Sequence, residues 1–180
     1  MKKIVLSAIG KDRPGIVAGV THNLFAAGCN LEDSAMTILE GEFALLVIAS
    51  RPSKISMKVF QDRLQTLAKK LGLVLNIKEM EVSRSTSVKN PRSAIITASG
   101  TDRTGILYKI SNVLAKYKVN ITDLSSRQIP SPGNKTLYVV MIETALPKTL
   151  ALEKLRKHLK RVATSMRLDV TVREIAVEKL

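Results

Sequence analysis

Hydrophobic positions along this chain switch between two periods. Residues 2–9 alternate loosely, with Ile4, Val5, Leu6 and Ile9 apolar, and read as a strand. Ile16, Val20, Leu24 and Ala27 then follow helical spacing. Pro14 is placed to open that helix, because its fixed φ suits a first helical position and its missing N–H is not needed there. Gly28 is placed to end it in the left-handed conformation. Residues 30–39 and 42–50 read as two strands about a Glu40-Gly41 turn. Phe60, Leu64, Leu67 and Leu71 share one face of a second helix, and Leu73, Leu75 and Ile77 begin a last alternating strand.

The same order then runs again. Residues 4–34 recur at 94–124 without a gap. Asp12-Arg13-Pro14-Gly15-Ile16-Val17 lines up with Asp102-Arg103-Thr104-Gly105-Ile106-Leu107, and Asn30-Leu31-Glu32-Asp33-Ser34 with Asn120-Ile121-Thr122-Asp123-Leu124. Self-similarity at a fixed offset means one unit built twice. The second set is expected as a strand near 93–99, a helix over 104–117, strands over 119–129 and 135–144, a helix over 148–163 and a strand over 167–177. Its longer hairpin carries Pro130-Ser131-Pro132-Gly133-Asn134, which raises the offset beyond it. The polar stretch from Ser83 to Pro91 reads as an exposed linker. The expected architecture is α+β: two ferredoxin-like βαββαβ domains, residues 1–82 and 92–180 joined by a linker over 83–91. Each has an antiparallel sheet with its helices on one face.

Composition narrows the function. The net charge is +14, with the larger surplus in the second half, which favours acidic partners and salt-sensitive association. No apolar run reaches the roughly 18 residues needed to cross a bilayer, so no membrane role is expected. The basic-then-apolar start resembles a weak signal peptide, but Lys11-Asp12-Arg13 interrupts it and the stretch belongs to the repeat. Cys29 is the only cysteine, so no internal disulfide can form and a reducing cytoplasm is expected.

Catalytic signatures are not found. There is no phosphate loop, no metal-ligand spacing and no nucleophile–base pattern, so neither an enzyme nor a metal or other cofactor is expected. His22 and His158 are far apart. Cys29 has no histidine nearby in sequence to activate it and is expected as a buried small apolar group. Glu32 and Asp33 point to opposite faces of a strand, which argues against a joint acid–base role. Asp33 and Asp123 are read as serving hydrogen bonding or the sheet edge.

The repeated Asp–Gly–Asn spacing is the strongest candidate site. A helix N-terminus leaves free N–H groups and a partial positive charge, which can hold a carboxylate. Gly15 and Gly105 leave the backbone open to close approach. Asp12 and Asp102 are placed either to cap the helix or to receive a ligand ammonium. Asn30 and Asn120, at the start of the second strand of each unit, are expected near the same end of the sheet. There an amide can serve both ends of a zwitterion. Donors for one end and acceptors for the other describe a site for a free α-amino acid; a plain cap and tight bend is the competing reading.

At these residues the chain resembles the ACT domain family, over nearly all of both halves. It is most similar to tandem-ACT regulators of the glycine cleavage system, on Gly28-Cys29-Asn30-Leu31-Glu32-Asp33-Ser34 and on Ser126-Arg127 followed by Pro130. The resemblance implies a non-catalytic sensor of a small amino acid, glycine first, acting on a DNA-binding transcription regulator. It also implies edge-to-edge pairing, in a homodimer or between the two domains of one chain, with ligands at the seam. Carried over by position, the ligand residues are Asp12, Arg13, Pro14, Gly15, Ile16 and Asn30. In the second half they are Asp102, Arg103, Thr104, Gly105, Ile106 and Asn120. Thr104 for Pro14 and Lys118 for Gly28 are departures. The alternative is a basic ferredoxin-like nucleic-acid-binding protein; against it, neither first strand carries an aromatic for base stacking, although charge-only binding remains open. Lys154, Lys157, His158 and Arg161 cluster on one face of the last helix, either as a solvated face or as a docking surface for an acidic partner.

Overall fold

The computed structural model describes residues 1–80, 92–133 and 135–175; the expected linker and the last residues of the final strand lie outside them. The chain divides into two compact units. The first comprises β1 (Lys2–Lys11), α1 (Ile16–Ala26), β2 (Asn30–Leu39), β3 (Glu42–Arg51), α2 (Met57–Leu71) and β4 (Leu73–Glu79). The second comprises β5 (Arg92–Thr101), α3 (Ile106–Lys116), β6 (Asn120–Ser131), β7 (Lys135–Leu146), α4 (Leu152–Met166) and β8 (Leu168–Ile175). The sheets are ordered β2-β3-β1-β4 and β6-β7-β5-β8, with every pair of neighbours antiparallel. These are two ferredoxin-like βαββαβ domains.

Each core forms where a period-2 face meets two period-3.6 faces. In the first unit Ile4, Leu6 and Ala8 of β1 lie beside Phe43, Leu45 and Val47 of β3, beneath Val20 and Leu24 of α1 and Phe60 and Leu64 of α2. In the second, Ala94 and Ile96 with Val140 and Ile142 lie beneath Ile110, Leu114, Leu155 and Leu159. The opposite sheet faces are uncovered within each unit, and Ile9, Leu46, Val74 and Met141 are exposed there.

Two boundaries differ from the pattern reading. Pro14 does not open a helix: α1 begins at Ile16 and α3 at Ile106, two residues later than expected. Gly15 (φ 93, ψ −7) and Gly105 (φ 90, ψ 7) adopt the third-position geometry of a type II turn, for which proline is a favoured second residue. α4 spans Leu152–Met166 rather than 148–163, because a turn closed by Leu150 N–H to the Pro147 carbonyl (3.0 Å) precedes it.

Three features recur in both units without having been anticipated. The register shifts between Leu31 and Asp33 and between Ile121 and Asp123, so Glu32 and Thr122 are bulge residues. The repeated Asn-x-x-Asp spacing therefore carries a β-bulge in both copies. Gly10 and Gly100 permit a close strand-to-helix approach: a Cβ there would lie 2.8 Å from the Gly72 carbonyl oxygen and 2.9 Å from that of Arg167.

The third feature is an arginine–glutamate clamp below α2 and α4. Arg51 is almost fully buried; it donates to Glu79 Oε1 at 2.5 Å and to the carbonyls of Pro52 and Ile55 in the β3–α2 connection. In the second unit Leu146 holds the place of Arg51, and Arg92 holds that of Lys2. Arg92 donates to Glu174 Oε1 at 2.7 Å and to the Leu150 carbonyl at 2.9 Å. The guanidinium has moved to the adjacent strand of the same rung and kept both kinds of partner.

Candidate functional site

The β1–α1 and β5–α3 loops share one backbone form. Asp12 donates its N–H to the Gly41 carbonyl (2.9 Å) and Asp102 to that of Thr136 (2.8 Å), tying each loop to the adjacent hairpin. Gly15 and Gly105 are the N-caps, their carbonyls accept the first helical bonds from Gly19 and Lys109, and neither helix has a side-chain cap or an acidic residue in its first turn. Asp12 and Asp102 therefore do not cap. By contrast Ser56 caps α2, accepting from the Val59 N–H at 3.3 Å. The first-turn N–H groups of α1 and α3 are thus left without a side-chain acceptor, as anion binding at a helix N-terminus requires. A Cβ at Gly15 or Gly105 would meet nothing within 4 Å, so the positive φ, not crowding, calls for glycine.

The two departures leave this backbone intact. Thr104 supports the same turn as Pro14. Lys118 takes φ 54 where Gly28 has φ 70.

The side chains make the loops unequal. Gln128 of β6 donates to Asp102 Oδ2 at 2.7 Å. The registers place Ile38 at the corresponding position of β2, and Asp12 has no side-chain partner among the described residues. Arg13 donates to the Lys70 carbonyl at the end of α2 (3.1 Å), whereas Arg103 makes no such bond among the described residues. Ile16 and Ile106 are buried beneath their own helices.

Asn30 and Asn120 stand elsewhere. Asn30 pairs with Ser50 and Ser50 with Lys3, at the beginning of β1, whereas the loop follows the end of β1 beside Glu42. Asn120 pairs with Ala145 and Ala145 with Ser93 in the same way. The expected shared end is therefore corrected: β2 and β1 are both antiparallel to β3, so they run parallel and begin together. Asn120 instead lines a groove of about 460 Å³ with Tyr108, Ser111 and Ala115 of α3.

Other groups behave as structural elements. Cys29 is buried, and burial pushes its thiol upward against the opposing charge of Arg51, the reverse of the shift that activates a nucleophilic cysteine. Hydrogen bonds from Lys2 and then Arg51 hold Glu79 below the usual carboxylate range, and Arg92 does the same for Glu174. Phe43 is buried on the helix side of its sheet and Tyr138 is packed against the second core. No aromatic side chain stands on either open sheet face among the described residues. No helix among them is long and apolar enough to cross a membrane.

Known proteins match this arrangement. The sequence model of the ACT domain matches residues 2–78 and 92–173. The glycine cleavage system transcriptional repressor of Escherichia coli is 26% identical over 132 residues, covering 73% of this chain and 68% of that one. A crystal structure of an unknown protein from Galdieria sulphuraria superposes with a TM-score of 0.83 at 27% identity, covering 97% of this chain and 99% of the other. Another, of a protein assigned provisionally as a glycine cleavage system transcriptional repressor, gives a TM-score of 0.68 at 22% identity over 97% of both chains and supports the fold.

Proposed function

The chain belongs to the ACT domain family, and we propose that it is a non-enzymatic sensor of a small amino acid, glycine or a close relative. In this reading it reports its ligand in the cytoplasm by contact with a DNA-binding regulator of glycine cleavage genes. The observation that carries the reading is the doubled, uncapped helix N-terminus behind an open glycine turn. The similarity to a named glycine cleavage repressor supports the choice of pathway.

The ligand carboxylate sits on the first-turn N–H groups of α1, with Arg13, Pro14, Gly15 and Ile16 shaping the turn, and the ammonium sits on Asp12. The first loop is the stronger site, because Gln128 already occupies the carboxylate of Asp102 in the second. Arg103, Thr104, Gly105 and Ile106 repeat the shape there.

Asn30 and Asn120 reach a loop only from another sheet edge. All ten residues of β2 are exposed, including Met36 and Ile38. A second copy whose β2 ran antiparallel alongside would bring its Asn30 to the loop end. That arrangement makes a homodimer part of the proposal and covers an edge otherwise open to indiscriminate pairing.

Glycine has few atoms to bind with. At about −1.5 kcal/mol for each of its five non-hydrogen atoms, the ceiling is near −7.5 kcal/mol, roughly micromolar. Such a site follows metabolite pools, and its signal arises only where ligand-bound and free seams differ.

Calorimetry of the full chain against the common amino acids tests the reading. Glycine or serine is expected to bind with micromolar to millimolar affinity, and Asp12→Ala to abolish the stronger heat. Silence from every amino acid would end it.

A further inference from the structure

The groove between the second helix and the last strand is built in both units. In the first, a cleft of about 260 Å³ lies between α2 and β4, with Gln61, Asp62 and Gln65 on its helix side and Leu75 and Ile77 on its strand side. In the second, one of about 440 Å³ lies between α4 and β8, with Leu159, Ala163, Val170 and Val172 as its apolar floor and Arg156, Lys160 and Arg167 on its walls. The helices are of equal length and the strand registers match, so Gln61, Asp62, Gln65 and Gly72 correspond to Arg156, Lys157, Lys160 and Arg167.

Four positions that are neutral or acidic in one unit are all cationic in the other. The first unit forms its groove without these charges, so the fold does not require them. Arg167 stands at φ 54 where Gly72 has φ 66, a conformation that L side chains with a Cβ adopt at a cost. Arg156 is partly occupied by Glu153 (2.6 Å) and the Val172 carbonyl (3.1 Å). Lys157, Lys160 and Arg167 make no ion pair among the described residues, and neither does Asp169, the carboxylate at the lip. Lys154 and Arg161 add positive charge on another face of α4. β8 is hydrogen-bonded to β5 alone among the described strands, so one edge of it is unpaired.

We propose that the α4–β8 groove of the second unit docks an extended acidic segment of another protein. Its carboxylates meet Arg156, Lys157, Lys160 and Arg167, its alternate apolar side chains cover the floor, and its backbone runs along the β8 edge. An apolar floor and the lack of a stacking aromatic favour such a polypeptide over a nucleic acid. The inference supplies the protein contact that the proposed sensor needs and rests on that reading for its purpose, though not for its chemistry.

The test uses the full chain and a fluorescein-labelled dodecapeptide alternating Glu or Asp with Val or Leu. Fluorescence anisotropy at 0.15 M salt is expected to show micromolar binding, and amide shifts are expected to map to α4 and β8. Lys157→Asp with Lys160→Gln installs residues that the first unit already accommodates, so the variant keeps its fold. It is expected to weaken the peptide about tenfold. Equal affinity in that variant, or shifts confined to other elements, overturns the proposal. A mixed-sequence single-stranded DNA dodecamer that binds more tightly through the same residues at the same salt also overturns it. Calorimetry with glycine keeps the two readings apart: absent glycine heat in the unaltered chain, with the tenfold loss of peptide affinity in the variant, defeats the sensor alone, and retained glycine heat with unaltered peptide affinity in the variant defeats the groove alone.

Discussion

Replacing Arg51 by leucine, the residue the second unit carries at that place, removes the buried half of the first clamp. The Ile55 carbonyl loses its donor, the Pro52 carbonyl keeps only the Ile55 N–H at 3.3 Å, and Glu79 keeps only Lys2 at 3.1 Å. Breaking a buried ion pair costs about 3–5 kcal/mol. Glu79 is over one-third exposed and regains water, and leucine replaces lost packing, so about 2–3 kcal/mol is the expected loss. For a domain of this size each kcal/mol moves the melting temperature by about 4–8 °C. Arg51→Leu should therefore melt the first unit about 10–20 °C lower while the second unit's transition stays in place. The decisive arm adds Lys2→Arg, which rebuilds the Arg92 arrangement on the adjacent strand. Urea denaturation of the full chain, followed by amide signals from each unit, should show that the double variant regains at least half of the loss. A neutral single variant, or no recovery in the double, would refute the idea that the two clamps are one device set on different strands.

Acid should weaken both clamps. Glu79 and Glu174 are depressed in the folded state, so their contribution is present above the ordinary glutamate value near ~4.3 and is lost as pH falls through the folded value. Urea midpoints should decline below about pH 5, and Glu79→Gln should flatten that decline for the first unit; a midpoint indifferent to acid would contradict the assignment. Lys118→Gly should stabilise the second unit by about 0.5–1 kcal/mol by relieving its left-handed backbone, read as a higher urea midpoint. Gly100→Ala should destabilise it by about 1–3 kcal/mol, because the added carbon meets the Arg167 carbonyl; an unchanged midpoint would mean that the strand and cap yield easily.

The architecture was readable because packing writes itself as period. Ile4, Leu6 and Ala8 alternate, and Phe60 and Leu64 recur by the turn, wherever one face is buried. The error at Pro14 came from chemistry that two structures share, since proline suits both a first helical position and the second position of a type II turn. The misplacement of Asn30 has a different origin. A strand's own pattern does not state which end of its neighbour it meets, and only the register with β3 sets Asn30 beside Lys3. The clamp was hidden because its arginine changes strand between units, so an alignment sets Arg51 against leucine and Lys2 against Arg92. Gln128 gave no signal, since its bond to Asp102 spans 26 positions.

The close approach at Gly100 joins the two ends of the second unit's chemistry. That glycine lies two residues before Asp102 and leaves no room for a Cβ beside the carbonyl of Arg167, whose side chain walls the cationic cleft. Any side chain added there would therefore displace the approach to the bend and the C-terminal end of α4 together.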